Sequence, residues 1–543
     1  MSQPTSELPR LALKDETVTS VHSDSDPEQN TSQSEIEEGE QVLSTRKALW
    51  AWIILCFSTG PTNGMVNQYV TASIQAAANA VGRVPGTDKP CATRGNIQCV
   101  VKFGGTDIDY LSYLLYLRAI SRAVEGVVSI FTAGLADFSG YRKTMMMLSI
   151  YLFGAVALPF AGLTTKSYPY LNALSTLYVI INAVSGLYTV TEASYIPIFM
   201  RTAGLERERQ RLDDAPRPSA SLLKGSKVSV LGLVAGNVGA LVALLIGVII
   251  TYTRGNFVQA GYFNFLLAIT IGGCLTILFG AVGHYMLPSI PGRKRPDGVN
   301  LLLLPCIMWY KMFRSLLQYP EAFKLCIGWV LWNTGYSNFL QLLGALFFES
   351  TGLDRGSGTY TVYSFMLVVF ACVGSLSWLF AFPYTRLHIK TWAYCFLVVN
   401  IICVFWGCLG ISKNVPIGYK YQAEFWVAIF LFMSTSSALR SLNRVMFASI
   451  IPRGSEALFF GLEITLDLAT GWVNPLVQAV IQNRTGNLRY PMLPNLFVML
   501  VALGLYLLCN VDKGMEDARK PLHLKFAWDV EEPTRREEPS VRS

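Results

Sequence analysis

The chain has 543 residues, 52% of them hydrophobic and 15% charged, with a formal net charge of +8 and a mean hydropathy of +0.38. That balance excludes a soluble globular protein and points to an integral membrane one. The positive charge follows from how Lys and Arg are shared among the connecting loops, and it calls for no nucleic-acid partner.

Residues 1–47 come first. Ten of the first 45 are acidic and two are basic, with many Ser and Thr and no apolar run. Such a segment cannot bury enough surface to offset the entropy of ordering, and a disordered acidic cytosolic tail is expected. Nothing before Ala48 suits the apolar region of a cleavable signal, so the first span is expected to act as its own insertion signal. Apolar stretches near the roughly 20 residues that a helix needs to cross a bilayer then recur. They lie at 48–80, 110–135, 144–163, 170–200, 227–252, 260–287, 323–349, 358–381, 388–412, 422–450, 457–481 and 490–511. This predicts an all-α integral membrane fold of about twelve transmembrane helices.

The first long outer loop, "RVPGTDKPCATRGNIQC", holds Cys91 and Cys99, and a disulfide stapling it is expected. The other nine Cys fall mostly within apolar spans and no CxxC pair occurs, so no metal or cofactor is expected.

The second span carries Arg118, Arg122 and Glu125 at i, i+4 and i+7, one charged stripe on one helix face. Counted from Asp137, Glu125 lies roughly 18 Å deep. An unpaired charge there costs on the order of 3 kcal/mol, so Arg122 and Glu125 are expected to pair with each other or to face a wet cavity. A structural ion pair satisfies this. So does a site in which Glu125 takes a proton or an ammonium group while Arg122 faces a carboxylate. Glu192, late in the fourth span, suits gating, packing or binding equally.

The long basic connection "PSIPGRKRPDGVN" and the amphipathic stretch after it form a linker, 288–322, between halves 48–287 and 323–511. A C-terminal tail, 512–543, follows. The halves share one echo: "STGPTN", ending at Asn63, and "NTGYSN", ending at Asn338. Each sits roughly 21 to 22 Å along the first helix of its half. Small residues at such places mark helix packing, or the interrupted helices of a transporter's central site. Gly60 and Pro61 free backbone groups that a partner helix, a water or a substrate must satisfy. Asn63, Asn67, Arg122, Glu125, Asn333 and Asn338 are the candidate substrate-binding residues, with Gln341, Trp332 and Tyr336 beside them. Glu463 and Asp467 stand opposite Arg440 and Arg444 at the same spacing, and a gate pairing Arg444 with Asp467 is expected. If the N-terminus is cytosolic, the inner connections between these spans hold 15 Lys and Arg against 11 outside, which favours both termini in the cytosol.

The cluster "LADFSGYRK" resembles the cytosolic motif between the second and third spans of major facilitator superfamily transporters. The resemblance implies that Asp137 caps and pairs with neighbouring helix ends, while Arg142 and Lys143 hold the inward side closed. The matching loop of the second half, "FPYTRLHIKT", lacks the Asp. The stretch "SLNRVMFASIIPRGSEALFFGLEITLDLATGWVNPL" with "TGNLRY", and also "YIPIFMR" and "SVLGLVAGNVGALV", are similar to the fungal autophagy-related protein 22 family over about residues 48–515. Arg444, Glu456, Asp467 and Gly486 fall on that family's positions. The resemblance implies a vacuolar membrane permease exporting neutral aliphatic and aromatic amino acids after autophagic breakdown, with protons as a further candidate partner. The stripe at Arg118, Arg122 and Glu125 belongs to no part of that pattern. Asn483, in "NRT", is a glycosylation acceptor by sequence, close to the membrane.

Four His, at 22, 284, 388 and 523, all lie in tails, loops or span ends. They support no acyl transfer or metal-assisted hydrolysis, and no enzyme is expected. No repeated polar filter of a channel is found. A facilitator of another small solute, or a non-transporting receptor or scaffold of the same fold, is the alternative.

Overall fold

Thr45 opens the first helix, α1 (Arg46–Met65), its hydroxyl accepting from the N–H of Ala48 at 3.3 Å. Pro61 inside α1 donates no hydrogen bond, and the helix loosens into a π turn at Val66–Val70 before α2 (Thr71–Val81). Such turns follow where the helical ladder is interrupted. The computed structural model describes residue 43 and residues 45–518 apart from 88, 90, 92–98, 139, 211–219, 255–256, 291–299, 301–302, 316–317, 352–357, 386, 413, 453–454, 472, 486 and 488. Most of the tail predicted at 1–47 and much of 512–543 therefore lie outside the described residues, as does Gly486.

The chain is helical except in the first outer loop. There β1 (Val100–Phe103) and β2 (Thr106–Asp109) pair antiparallel, Val100 opposite Asp109, and Arg83 bridges to Val100. This short hairpin is a local addition to an all-α membrane fold. Cys91 and Cys99 are disulfide-bonded beside it, Cα atoms 5.8 Å apart.

The remaining helices of the first half are α3 (Tyr110–Ala136), α4 (Tyr141–Ala157), α5 (Tyr168–Ala193), α6 (Tyr195–Gln210), α7 (Ala220–Arg254) and α8 (Phe257–Met286). The linker holds α9 (Leu304–Ser315). The second half has α10 (Pro320–Thr351), α11 (Gly358–Ala381), α12 (Ile389–Leu409), α13 (Gln422–Ile450), α14 (Glu456–Thr470), α15 (Val473–Thr485), α16 (Met492–Leu508) and α17 (Val511–Asp517).

Two breaks have one cause. A proline clashes with the carbonyl four residues earlier. Pro197 accounts for the step after Ala193, and Pro475 for the step near Gly471. Gly140 takes φ 73°, the left-handed turn that lets α4 start immediately after α3.

Among the described residues, seven helices are long and apolar enough to span a bilayer, or eight if the bent pair α16 and α17 counts as one. The sequence predicted about twelve. Helices do occupy the other predicted segments, but Pro61 interrupts the first of them and the step near Gly471 divides another.

Burial shows where helices before the 288–322 connection, here the first half of the chain, meet those after it, here the second half. One apolar core draws on both halves, from Trp52, Met146, Tyr195 and Phe199 to Trp332, Phe382, Phe447 and Phe459. It lies at the end of the bundle that carries 137–143, hereafter the latch end. Toward the opposite end, where the hairpin lies, the cores are separate. One holds Met65, Leu114, Phe160 and Ile269 of the first half; the other holds Phe339, Phe347, Phe432 and Met499 of the second.

Candidate functional site

The latch is built on Asp137, which is buried. Its carboxylate accepts from Arg142 (2.6 Å) and from the backbone N–H groups of Ala457 and Leu458, at 3.1 Å each. The last two are the first free donors of α14, so a residue from the first half caps a helix of the second. Glu456 completes the cluster, accepting from Arg142 at 3.2 Å and pairing with Arg201 at 2.6 Å. Arg201 was missed as a site residue, although "YIPIFMR" contains it. Lys143 turns away: its Nζ donates to the Leu287 carbonyl at 2.5 Å, within its own half. That corrects the expectation that Lys143 bridges the inward side.

From the latch, α3 and α14 run together. A Cβ built on Gly461 would come within 2.2 Å of the Ala133 Cβ, and Gly126 lies against Leu468. From the linker, Trp309 of α9 donates to the Ile130 carbonyl at 2.9 Å, and Pro305 lies close against Gly134.

Next toward the hairpin end comes a charged layer. Arg122 and Glu125 pair at 3.0 Å, with Glu125 buried and the Arg122 side chain 60% exposed. Gly186 of α5 makes room for the carboxylate, since a Cβ there would sit 2.8 Å from the Glu125 Cγ. Across from α3, Asn333 of α10 donates to Asp467 and accepts from Arg440, both at 3.0 Å. Arg440 also stands 5.0 Å over the Tyr336 ring, which stacks on Trp332 and Phe432. Asp467 is within electrostatic reach of Arg122, so this layer joins the halves.

The pairing predicted between Arg444 and Asp467 is not formed. Arg444 reaches Glu192 of α5 instead, at 3.4 Å, and Asp467, one helical turn nearer the hairpin end than Glu463, is taken by Asn333. The pair with Glu192 crosses between the halves, as a gate must.

Asn63 and Asn67 bond to each other at 3.0 Å and are partly to fully exposed. Asn338 is buried with its Nδ2 unpartnered. The small residues before Asn63 serve packing. A Cβ at Gly60 would meet the Gly236 carbonyl at 2.2 Å, and the carbonyl of Phe57, which Pro61 leaves without its helical donor, is met closely by Gly239 of α7. Helix α7 therefore packs closely against α1 where Pro61 interrupts it. Toward the hairpin end, Arg489 of "TGNLRY" donates to the carbonyls of Gly418 (3.2 Å) and Tyr419 (3.0 Å). The side chain of Asn483 lies outside the described residues.

Outside the spans, burial acts to raise the pKa of the Glu321 carboxyl, but the N–H of Asn510 and the Lys324 ammonium outweigh it. The group is held below the ordinary carboxylate value.

The helices, with the latch and the charged layer between them, form a multi-pass membrane fold of the major facilitator type. Solved structures share the fold at 11% identity. They include the major facilitator superfamily proton:xylose symporter XylE bound to 6-bromo-6-deoxy-D-glucose (TM-score 0.56, covering 84% of this chain and 94% of that one) and FucP in the outward conformation (TM-score 0.54, covering 85% and 98%). The sequence profile of the family described as "Vacuole effluxer Atg22 like" matches residues 44–519. The chain is 43% identical over 478 residues to "Autophagy-related protein 22" of Candida albicans, covering 88% of this chain and 92% of that one. It is 22% identical to "Autophagy-related protein 22-1" of Penicillium rubens, covering 80% and 81%. The chain belongs to the Atg22-like vacuole effluxer family: it is a transporter of the vacuolar membrane, not an enzyme.

Proposed function

We propose that this vacuolar transporter exports amino acids, neutral aliphatic and aromatic ones, from the lumen to the cytosol after autophagic degradation. Export proceeds by alternating access between two six-helix halves, 48–287 and 323–511, with both termini in the cytosol. On this reading the latch end is cytosolic and the hairpin end lumenal. The apolar core shared by both halves at the latch end only, with separate cores at the other, supports a state closed to the cytosol and open to the lumen.

The observation that carries the substrate class is the charged layer beyond the seam. It offers guanidinium groups, Arg122 and Arg440, and carboxylates, Glu125 and Asp467, beside stacked Trp332 and Tyr336. A zwitterion supplies the complement of both charges. Its carboxylate suits the fork geometry of Arg, its ammonium suits a carboxylate, and an apolar side chain suits the aromatic wall. Asn333, Asn338, Asn63 and Asn67 add amide hydrogen bonds. The Asp137, Arg142 and Glu456 cluster and the pair of Arg444 with Glu192 are the gates that must part for release.

The test is export of a panel of labelled amino acids from proteoliposomes, with and without an acidic interior, for the wild type, Glu125→Gln and Asn333→Ala. Saturable export of leucine-like and tyrosine-like substrates is expected, with KM raised in Asn333→Ala and transport lost in Glu125→Gln. No export of any amino acid by folded wild-type protein would overturn the reading.

A further inference from the structure

The charges beyond the latch do not balance. Among the described residues, four carboxylates occupy this part of the membrane interior, Glu125, Glu192, Glu463 and Asp467, with three guanidiniums, Arg122, Arg440 and Arg444. The latch itself is even, with Asp137 and Glu456 against Arg142 and Arg201. Arg118 stands a turn nearer the hairpin end, and no ion pair joins it to this set among the described residues. An unpaired negative charge in such a place is costly enough that a proton is taken up instead.

Three of the four carboxylates have clear partners. Glu125 holds Arg122, Glu192 holds Arg444, and Asp467 accepts from Asn333. Glu463 is the exception. It is buried, Trp329 donates a hydrogen bond to it, and its Oε2 has no partner among the described residues. The groups facing it are Arg440 and Arg444 from α13, Cys326 and Trp329 from α10, Tyr506 from α16 and Asp467 on its own helix. Tyr506 is already committed, donating to Asn443 Oδ1 at 2.7 Å.

We propose that Glu463 is protonated while the cytosolic side is closed and carries that proton through each export cycle, with Arg444 exchanging partners between Glu192 and Glu463. When the halves part at the cytosolic end, the bond from Arg444 to Glu192, which spans them, is broken. Arg444 and Glu463 belong to the same half and stay together. The freed guanidinium stabilises the Glu463 carboxylate, its O–H bond breaks, and the proton passes to cytosolic water. On return, Glu192 reclaims Arg444 and Glu463 takes a proton from lumenal water. One proton moves with each substrate, so an acidic lumen drives export. This deepens the export reading and rests on it.

Two measurements test it. The first needs no transport: infrared spectra of the protein in lipid at neutral pH are expected to show a neutral carboxylic acid C=O band that Glu463→Gln removes and Glu125→Gln leaves. A band unchanged by Glu463→Gln, or no band at all, overturns the proposal whatever the substrate. In the second, export from proteoliposomes is compared with an acidic and a neutral lumen. Wild type is expected to be stimulated by acid, while Glu463→Gln exchanges substrate at equal pH with the stimulation abolished. Acid stimulation surviving in that variant overturns the proposal and leaves the export reading standing. If Glu463→Gln fails to fold, Glu463→Asp replaces it, with the stimulation expected to persist at a shifted pH midpoint and an unshifted midpoint counting against the role. A wild type with the infrared band and no exchange of any amino acid overturns the export reading and the coupling with it.

Discussion

The sharpest test of the latch is Asp137→Asn. The wild-type carboxylate takes one charge-assisted bond from Arg142 and two from the N-terminus of α14, and all of this is buried. Losing a helix cap costs about 1 kcal/mol, and breaking a buried ion pair outright costs about 3–5 kcal/mol. Arg142 keeps Glu456 at 3.2 Å, and an amide still accepts one of the backbone N–H groups. The loss is therefore expected between those limits, at about 2–3 kcal/mol. It falls on the state closed to the cytosol, because Asp137 and α14 belong to opposite halves and separate when that side opens. At about 1.4 kcal/mol per factor of ten, the balance between closed and open forms moves roughly 30- to 140-fold toward the open one. Ile464, partly buried against the cluster of Ala133, Ala136, Val190 and Ala457 at the seam, reports the change. In a background with the free cysteines replaced, Ile464→Cys should be alkylated much faster from the cytosolic face when Asp137→Asn is present. Equal rates with and without Asp137→Asn would refute the reasoning, since the cap would then be decoration on a seam held shut by something else.

Exchanging charges between Glu192 and Arg444 should be partly tolerated. Glu192→Arg and Arg444→Glu singly abolish export, and the double variant recovers part of it; a double variant as inactive as either single one removes the cross-half pair as a gate. Gly60→Ala places a methyl 2.2 Å from the Gly236 carbonyl, so thermal unfolding in detergent should show destabilisation of about 1–3 kcal/mol or more, the usual cost of overpacking. Glu321 gives a pH signature. Its folded pKa is depressed, so it contributes stability above the unfolded value of about 4.3, lost as pH falls through the folded value. Glu321→Gln should lower the melting temperature near neutral pH and shrink the drop on acidification, and an undiminished drop counts against that linkage.

Why the sequence revealed some of these features and concealed others comes down to what periodicity encodes. Hydropathy placed a helix on every predicted segment, and the i, i+3 spacing of Arg122 and Glu125 was enough to pair them, because both ends of that bond lie on one helix. The resemblance put Asp137 at a helix end, but which helix it caps depends on a neighbour 320 residues away. Interruption was legible at Pro61, whereas Pro197 and Pro475 fell inside spans read as continuous, and the close approach of Gly239 to the Phe57 carbonyl was not legible, since Gly239 is one small residue among many along α7. The expected pairing of Arg444 with Asp467 failed for a related reason. Helix rise fixes depth along the bundle, but rotation about each axis decides which neighbour a side chain meets. At Arg444 that neighbour is α5 of the other half, and at Asp467 it is α10. This mismatch leaves Glu463, one turn from Asp467 on the same helix, with an oxygen that no partner takes among the described residues. A sequence that paired Arg444 with Asp467 would hold both charges inside one half, where no motion between halves could act on them. The arrangement found instead spends Arg444 across the interface, so that the same movement that exposes the substrate to the cytosol also changes the charge around Glu463.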